Sequence, residues 1–403
     1  MVKSNSTTNS LITANSLPAI LVGGPPNAGK SVLTYNLTQA LRQRNIPHYV
    51  FRANPDVEGD WFLRGNITTV RQIQLRAWDY RHWSDIFRAF VCRDLAHRQL
   101  PLIVDLGGLP READTCIFQV CTHSILLLKE EDESATQTWH HFTSGLLPLA
   151  EIHSQLHSDS TLATQEPIIT GTLAGLERET AIHAPIFDVL VERVSQLFGS
   201  YTSTELEQLQ MDAAPIENIV DLTQHLQALG STDNRWTTDL MRRLLAELPA
   251  QNMMAVYGRG PNWLYGALAL HAGTQPLYQF DARLGWVMPP ILRASTSAQP
   301  PQSVIDVKED KDDNDQYVIR IYPVHNYLDY SEAEQLVFPD PPPQRGVIVS
   351  GKLPLWLFTA LARFYAQRNV PWIALNDAHD NRPVVIYSQV MTHTIGEILP
   401  TLV

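Results

Sequence analysis

The amino-acid sequence predicts an α/β protein, with a doubly wound parallel sheet at the N-terminus followed by two small α/β repeats. Apolar runs of strand length alternate with helical patterns along the N-terminal half, which is typical of a parallel sheet covered by helices. Farther along, the phrase VYGRGPNWLYGALAL (residues 256–270) recurs as VSGKLPLWLFTALAR (residues 349–363). A repeat of this length predicts two copies of one structural unit.

Net charge, hydropathy and cysteine content exclude several classes of protein and of binding partner. The chain has 403 residues and a formal net charge of −12, which argues against a broad electrostatic grip on long nucleic acid. No apolar run approaches the roughly 18 residues of a membrane helix, and the polar tail of residues 1–16 lacks a secretory signal pattern. Cys92, Cys116 and Cys121 predict no disulfide framework and no zinc site. We therefore expect a cytoplasmic protein without membrane contact.

The first predicted strand runs into GPPNAGKS (residues 24–31), and a helical pattern follows directly. G-x-x-x-x-G-K-[ST] between a strand and a helix resembles the P-loop of NTPases, in which backbone N–H groups surround phosphate oxygens. This segment therefore predicts a domain similar to P-loop (AAA-like) NTPases that binds ATP with Mg²⁺. Alternatively, the loop no longer holds a nucleotide.

The P-loop pattern assigns a function to each of its polar residues. Lys30 would reach the terminal phosphates, and Ser31 would bind Mg²⁺ together with Asp105, which ends the apolar run LPLIVD. The predicted nucleotide-binding residues are Gly24, Asn27, Ala28, Gly29, Lys30, Ser31 and Asp105.

The rest of the predicted N-terminal domain, residues 17–205, continues the alternation. Its further strands are PHYVFRAN, LPLIVDLGG, SILLLKE and EPIITGTL, and IFDVLVERVSQLFG predicts a helix before the domain ends. Asp56, Glu58 and Asp60 follow the second strand, where a kinase would place a base for its acceptor hydroxyl. The alternative is a solvated acidic loop.

The C-terminal half divides into three predicted segments. Residues 206–293 form the first repeat, with mostly helical sequence ahead of the repeated phrase. Residues 294–316 are rich in Ser, Pro, Asp and Lys and predict a linker with little to pack. Residues 317–403 form the second repeat, with an alternating strand, a proline-rich turn and a buried strand.

The first repeat carries polar groups suited to phosphodiester chemistry. His271 can transfer a proton near neutral pH, Arg283 can stabilise charge on a phosphate, and Asp281 can orient the histidine or bind a metal. A histidine after an apolar helix can instead be a capping or surface residue, and the tryptophans can be core.

The first repeat also resembles a known family. GRGPNWLYGALAL, the following His271 and then FDARLG are similar to the signature of the small CRISPR-associated ring nucleases of the Csx group, although Ala282 replaces a proline. The second repeat is similar over its whole length. It has lost polar groups, with Phe364 at the histidine position and His379 at the arginine position.

The resemblance implies two ring-nuclease-like domains that cleave cyclic oligoadenylate, in particular cyclic tetra-adenylate, with Mn²⁺. His271 would act as acid or base, Arg283 would hold the phosphate, and Asp281 would position one of these or bind Mn²⁺. The residues expected to bind the ring are Gly258, Arg259, Gly260, Pro261, Gly351 and Lys352. Because such domains pair, the tandem would imitate their dimer within one chain. We also expect the protein to form a homo-oligomer.

Three functions are consistent with these observations. The first is a ring nuclease of type III CRISPR defence whose ATP-binding domain regulates or assembles it. The second is a cyclic oligoadenylate sensor that controls a P-loop kinase or NTPase effector. The third is an unrelated nucleotide or metabolite kinase with a structural C-terminal module.

Overall fold

The protein forms two compact units, the first of Met1–Gln210 with Ala282–Gly285 and the second of Met211–Asp281 with Trp286–Val403. The computed structural model describes residues 17–53, 85–129, 132–177, 180–231, 233–295, 304–311, 316–324, 328–377 and 379–402. Within these ranges, no helix is both long enough and apolar enough to cross a membrane. The acidic residues Asp56, Glu58 and Asp60 lie outside the described residues.

The first unit contains a seven-stranded sheet with the order β2-β3-β1-β4-β5-β7-β6. Its strands are β1 (Ala19–Gly23), β2 (Tyr49–Arg52), β3 (Leu102–Asp105), β4 (His123–Leu128), β5 (Leu147–Gln155), β6 (Thr161–Thr164) and β7 (Ile169–Ala174). Neighbouring strands are parallel except for the edge pair β6 and β7. The prediction of a mixed α/β protein with a parallel sheet is therefore confirmed.

Helices cover both faces of this sheet. They are α1 (Lys30–Gln43), α2 (Asp85–Ala96), α3 (Thr115–Val120) after the 3-10 turn Glu112–Asp114, α4 (Glu133–Thr143) and α5 (Pro185–Phe198), and α6 (Ser203–Asp212) follows α5 along the chain. Alternate residues of β1 separate two cores, since Val22 packs with α1 and α5 whereas Leu21 packs with α2, α3 and α4. This alternation fixes which side chains of each strand face α1.

The cysteines differ from the sequence prediction. Cys92 on α2 and Cys116 on α3 form a disulfide, because the packing of these two helices brings together residues that sequence spacing gave no reason to pair. The buried ion pair between Arg88 Nε and Asp114 Oδ1, at 2.9 Å, also joins this region. Cys121 is a free, buried thiol.

The second unit begins with a four-stranded sheet of order β11-β10-β9-β8. Its strands are β8 (Ile219–Asp221), β9 (Met254–Tyr257), β10 (Leu277–Asp281) and β11 (Gly285–Val287), and its helices are α7 (Leu222–Ala228), α8 (Thr238–Glu247) and α9 (Asn262–His271). The prediction of mostly helical sequence ahead of the repeated phrase missed β8. This strand is only three residues long, and Asp221 ends it by capping α7 through bonds from the amides of Thr223 and Gln224.

A five-stranded sheet of order β13-β14-β16-β17-β18 follows. The remaining elements are β12 (Arg293–Ala294), β13 (Ile305–Lys311), β14 (Gln316–Pro323), the 3-10 turn Tyr330–Gln335, β15 (Val337–Phe338), β16 (Gly346–Gly351), α10 (Leu355–Ala366), β17 (Trp372–Asn376) and β18 (Pro383–Ser388). The predicted linker is wrong over β13, which pairs antiparallel with β14. Ile305 is buried there, so one end of this polar segment contributes to the core.

The two sheets of the second unit share one pattern. In each, three neighbouring strands are parallel, namely β8, β9 and β10 in the first sheet and β14, β16 and β17 in the second. In each, the apolar helix of the repeated phrase follows the middle strand, as α9 after β9 and as α10 after β16. The sequence repeat is thus also a repeat of local structure.

The repeats pack through α9, α10 and the sheet of the second repeat. Gly266 on α9 allows this approach, because a Cβ at this position would lie 2.5 Å from Leu375 Cδ1 of β17. The buried Thr359 Oγ1 of α10 donates to Gln279 Oε1 of β10 at 2.8 Å. Arg363 on α10 donates to the carbonyl oxygens of Ala269 and Gln275 at 3.1 and 2.8 Å.

Two further hydrogen bonds join the repeats at the start of α9. Asn262 Nδ2 donates to the carbonyl oxygen of Asn376 at 2.9 Å, and Trp263 Nε1 donates to Asp377 Oδ2 at 2.7 Å. The corresponding Trp356 of α10 is also buried, but its Nε1 has no hydrogen-bond partner within the part of the chain that the structure describes. The tandem is therefore asymmetric at this pair of tryptophans.

The disulfide predicts the number of reactive thiols. Burial raises the pKa of Cys121 to about 12, so the thiolate that reacts with iodoacetamide is scarce in the folded protein. We expect no labelling of the native protein between pH 7 and pH 9, one label in urea, and three labels in urea after reduction. Mass spectrometry after alkylation gives these numbers, and three labels in urea without reductant would exclude the disulfide.

The tryptophan pair predicts unequal losses of stability. Trp263→Phe removes the donor to a carboxylate, whereas Trp356→Phe removes a similar ring volume but no hydrogen bond. We expect Trp263→Phe to lower the free energy of unfolding by about 1–2 kcal/mol more than Trp356→Phe does. Urea denaturation followed by circular dichroism measures the free energy of unfolding of both variants. Equal decreases would show that the hydrogen bond does not contribute to stability.

Candidate functional site

The glycine loop (residues 24–31) joins β1 to α1 in the first unit. Gly24 and Gly29 have φ angles of 145° and 84°, and Asn27 has a φ of 59°. A Cβ at Gly24 would overlap the carbonyl oxygen of Leu127, and one at Gly29 would collide with Leu176. The loop thus depends on left-handed backbone and close packing that favour glycine at these two positions.

Lys30 is the first residue of α1, and its ammonium group turns back into the glycine loop. Its Nζ donates to the carbonyl oxygens of Gly24 and Pro25, each at 2.8 Å. The side chain is buried, and this burial lowers the pKa of Lys30 to about 8, while the charge of Asp105 opposes the change. Two carbonyls therefore hold a buried cation at the N-terminus of a helix whose first N–H groups lack intrahelical partners.

Ser31 and Asp105 meet at the same place. Ser31 Oγ donates to Asp105 Oδ2 at 3.1 Å, although 74 positions separate the two residues in sequence. Burial raises the pKa of Asp105, and the charge of Arg52 and the Ser31 hydrogen bond oppose this. A hydroxyl and a carboxylate oxygen side by side fit Mg²⁺, which prefers oxygen ligands.

Lys129 is a polar residue of this site that the sequence analysis missed. It follows β4 directly, and its Nζ donates to the carbonyl oxygen of Pro26 at 3.0 Å. Its charge also contributes to the lowered pKa of Lys30. A lysine at the end of an apolar strand was the available signal, but only the pairing of β4 with β1 places it beside the glycine loop.

The second unit has two similar turns, the first repeat turn (residues 258–261) and the second repeat turn (residues 351–354). Each begins with a glycine of positive φ, 103° at Gly258 and 146° at Gly351. Each ends with a proline that precedes its helix, Pro261 with φ −69° and Pro354 with φ −65°. This order follows the preference for proline at helix starts, where no amide donor is needed.

The repeat turns expose one cation each. Arg259 and Lys352, the residues after the two glycines, are exposed, while Gly260 and Pro261 are half-buried. Tyr265 of α9 donates to the carbonyl oxygen of Gly258 at 2.6 Å and fixes the first turn. Both turns follow the middle strand of a parallel group, so each cation lies at the carboxyl edge of its own sheet.

His271 and Asp281 do not lie side by side within one chain. His271 ends α9, where its Nε2 donates to the carbonyl oxygen of Leu248 at 3.0 Å and its own carbonyl accepts from Gln251 N at 2.9 Å. The ten residues of α9 span about 15 Å, and the helix starts at the carboxyl edge where Asp281 ends β10. His271 and Asp281 therefore lie at opposite edges of the sheet, and His271 caps a helix.

The structure gives Arg283 and Asp281 separate surroundings. Arg283 belongs to the first unit, where its Nε lies 3.4 Å from Oδ2 of the buried Asp94. Asp281 lies near Tyr265, since burial and then the charge of Asp281 raise the pKa of that phenol. Among the described residues, no group of three or more His, Cys, Asp or Glu side chains could hold a metal ion.

The second repeat has Phe364 in place of a histidine and His379 in place of an arginine, and the structure shows the surroundings of both residues. Phe364 is buried and packs edge-on against Phe338 and Tyr365, and Arg368 lies 3.3 Å from its ring centroid. His379 is exposed and lies 2.7 Å from Asp380. Phe364 has no group that could transfer a proton as a histidine would, and His379 lacks the guanidinium expected at its position.

The C-terminal part of the chain matches a family model. Residues 321–400, which include β16, α10, β17 and β18, match the family described as CRISPR-associated protein (Cas_csx3). Among curated proteins, no match is found. The C-terminal region is therefore similar to a family of CRISPR-associated proteins.

Proposed function

We propose that this CRISPR-associated protein binds Mg²⁺ and ATP at the glycine loop and binds cyclic oligoadenylate at its two repeat turns. The observation that carries the first part is the meeting of Lys30, Ser31 and Asp105 around a loop with left-handed glycines. The match of residues 321–400 and the resemblance of the first repeat to the Csx ring nucleases support the second part. The protein is then a sensor that couples an RNA second messenger to a nucleotide.

The residues of the glycine loop would act mainly by binding and orientation. The amides that begin α1 would donate to phosphate oxygens, and Lys30 would exchange its carbonyl partners for the terminal phosphates. Ser31 and Asp105 would hold Mg²⁺, which neutralises phosphate charge when bound. The burial of Lys30 and Asp105 favours this exchange, because a buried charge is stabilised most by a charged partner.

The repeat turns would meet the phosphates of a cyclic oligoadenylate. Glycine lets the ligand approach the backbone at residues 258, 260 and 351, and Arg259 and Lys352 supply positive charge. Cleavage by His271 with Asp281 in one chain is not supported, because these residues lie at opposite sheet edges. Binding requires only the two repeat turns of one chain, and we therefore favour the sensor over the ring nuclease.

Removal of Lys30 tests the nucleotide site. Lys30→Ala deletes a charged hydrogen-bond donor worth about 1.5–3 kcal/mol, so we expect the Kd for Mg-bound ATP to rise about 10- to 150-fold. Fluorescence titration with an N-methylanthraniloyl ATP measures it. Arg44→Ala, at the far end of α1, is the matched control and should bind as the wild type does. Equal affinities of Lys30→Ala and wild type would refute the assignment.

Removal of the two exposed cations tests the repeats. Arg259→Ala combined with Lys352→Ala should weaken binding of cyclic tetra-adenylate at least about 30-fold, since each cation contributes a charged contact. Isothermal titration calorimetry gives the affinities, and mass spectrometry shows whether the ring stays intact. Arg345→Ala is the control, because Arg345 precedes β16 whereas Lys352 follows it.

The two readouts separate the possible outcomes. An intact ring bound by wild type and lost in the double variant supports the sensor. Linear products that disappear in His271→Ala would restore the ring nuclease. Unchanged binding of cyclic tetra-adenylate in the double variant would show that the binding site lies outside the repeat turns.

A further inference from the structure

Arg52 ends β2 at the same edge of the first sheet as the glycine loop. The strands β2 and β3 are parallel, and Arg52 pairs in register with Asp105. Paired residues of neighbouring strands lie about 4.8 Å apart. Arg52 is thus the direct neighbour of the carboxylate that accepts from Ser31.

The side chains of Arg52 and Asp105 lie on the same face of the sheet. Side chains alternate along a strand, so Arg52 shares a face with Val50, and Asp105 shares a face with Ile103. Val50 and Ile103 belong to the core that contains Leu33 and Leu37 of α1. Arg52 therefore lies on the α1 side of the sheet, where the glycine loop places Lys30 and Ser31.

The guanidinium of Arg52 is half-buried, and the carboxylate of Asp105 on the neighbouring strand interacts with its charge. Among the described residues, the guanidinium makes no hydrogen bond and no ion pair, although its charge acts on Asp105 and opposes the rise of that pKa. Other arginines of this unit have close acceptors, such as Arg44 with Glu192 and Arg88 with Asp114. A half-buried cation beside a phosphate loop indicates an anionic partner supplied by a ligand.

We propose that Arg52 contacts the terminal phosphoryl group of bound ATP and that the protein hydrolyses ATP rather than only binding it. This inference rests on the proposed nucleotide site. A planar guanidinium can donate two parallel hydrogen bonds to phosphoryl oxygens, and it would do so on the side of the site away from Lys129. Arg52 is then a catalytic arginine supplied by the same chain.

The reaction converts ATP⁴⁻ and water into ADP³⁻ and H₂PO₄⁻. The bond between the γ-phosphorus and the β,γ-bridging oxygen breaks, and ADP leaves with the electron pair. A bond forms between the γ-phosphorus and the water oxygen, and both water protons stay on the phosphate. Negative charge shifts along this line in the transition state, and a guanidinium beside the γ-phosphoryl group would stabilise it there.

The test measures binding and turnover separately in Arg52→Ala and Arg52→Lys. We expect both variants to bind Mg-bound N-methylanthraniloyl ATP within about threefold of wild type. We expect kcat for phosphate release to fall about 10³-fold in Arg52→Ala, the lower end of the effect of a catalytic arginine. Arg52→Lys keeps the charge beside Asp105 but loses the planar fork, and it should stay at least about 30-fold below wild type. Arg44→Ala is the control.

Other results would overturn the proposal. A kcat within threefold of wild type in Arg52→Ala would exclude the contact. Full turnover in Arg52→Lys, or lost ATP binding with unchanged kcat in Arg52→Ala, would make Arg52 a positioning residue for Asp105. A wild type that binds ATP but releases no phosphate would refute hydrolysis and leave the nucleotide site intact. Absence of ATP binding in wild type would refute the nucleotide site itself.

Discussion

Parallel pairing of strands is the constraint on which both candidate sites depend. In the first unit, β2, β3, β1 and β4 run in one direction, so the residues that follow them leave the sheet at one edge. This arrangement brings Ser31 to Asp105 across a sequence separation of 74 residues. An antiparallel order would send alternate strand ends to opposite edges and would separate these groups. The chemistry of the site thus follows from topology before any side chain is considered.

Burial adds a second constraint, because charges placed inside must find partners. The Lys30 ammonium has lost water and obtains two backbone carbonyls instead, while the Asp105 carboxyl obtains the Ser31 hydroxyl. Such a group of opposite charges is costly to desolvate but stays fixed in place. A polyanion that enters the loop therefore meets donors that need little rearrangement. The same reasoning explains why the loop uses glycine, since side chains would fill the space in which the donors converge.

The sequence predicted what is local and missed what depends on tertiary packing. The glycine loop, α1 and Asp105 could be assigned because a strand, a fixed motif and a helix succeed one another directly. The repeat was visible because the amino-acid sequences around Gly258 and Gly351 are similar. By contrast, the Cys92–Cys116 bond depends on how two helices pack, and the position of Arg52 beside Asp105 depends on strand register. The separation of His271 from Asp281 within one chain could not be predicted either, because nearness in sequence hides the length of a helix and the width of a sheet.

The joining of two repeats in one chain has a consequence for molecular symmetry. Two copies in a homodimer must change together, and their contact weakens on dilution, whereas covalent linkage gives the tandem a high effective concentration at any protein level. Each copy is then free to diverge, as Trp263 and Trp356 have done in their hydrogen bonding and as Phe364 has done at the position of His271. A ligand with rotational symmetry that touches both repeats meets two unlike halves. Its equivalent orientations are no longer equal in energy, and the chain can select one.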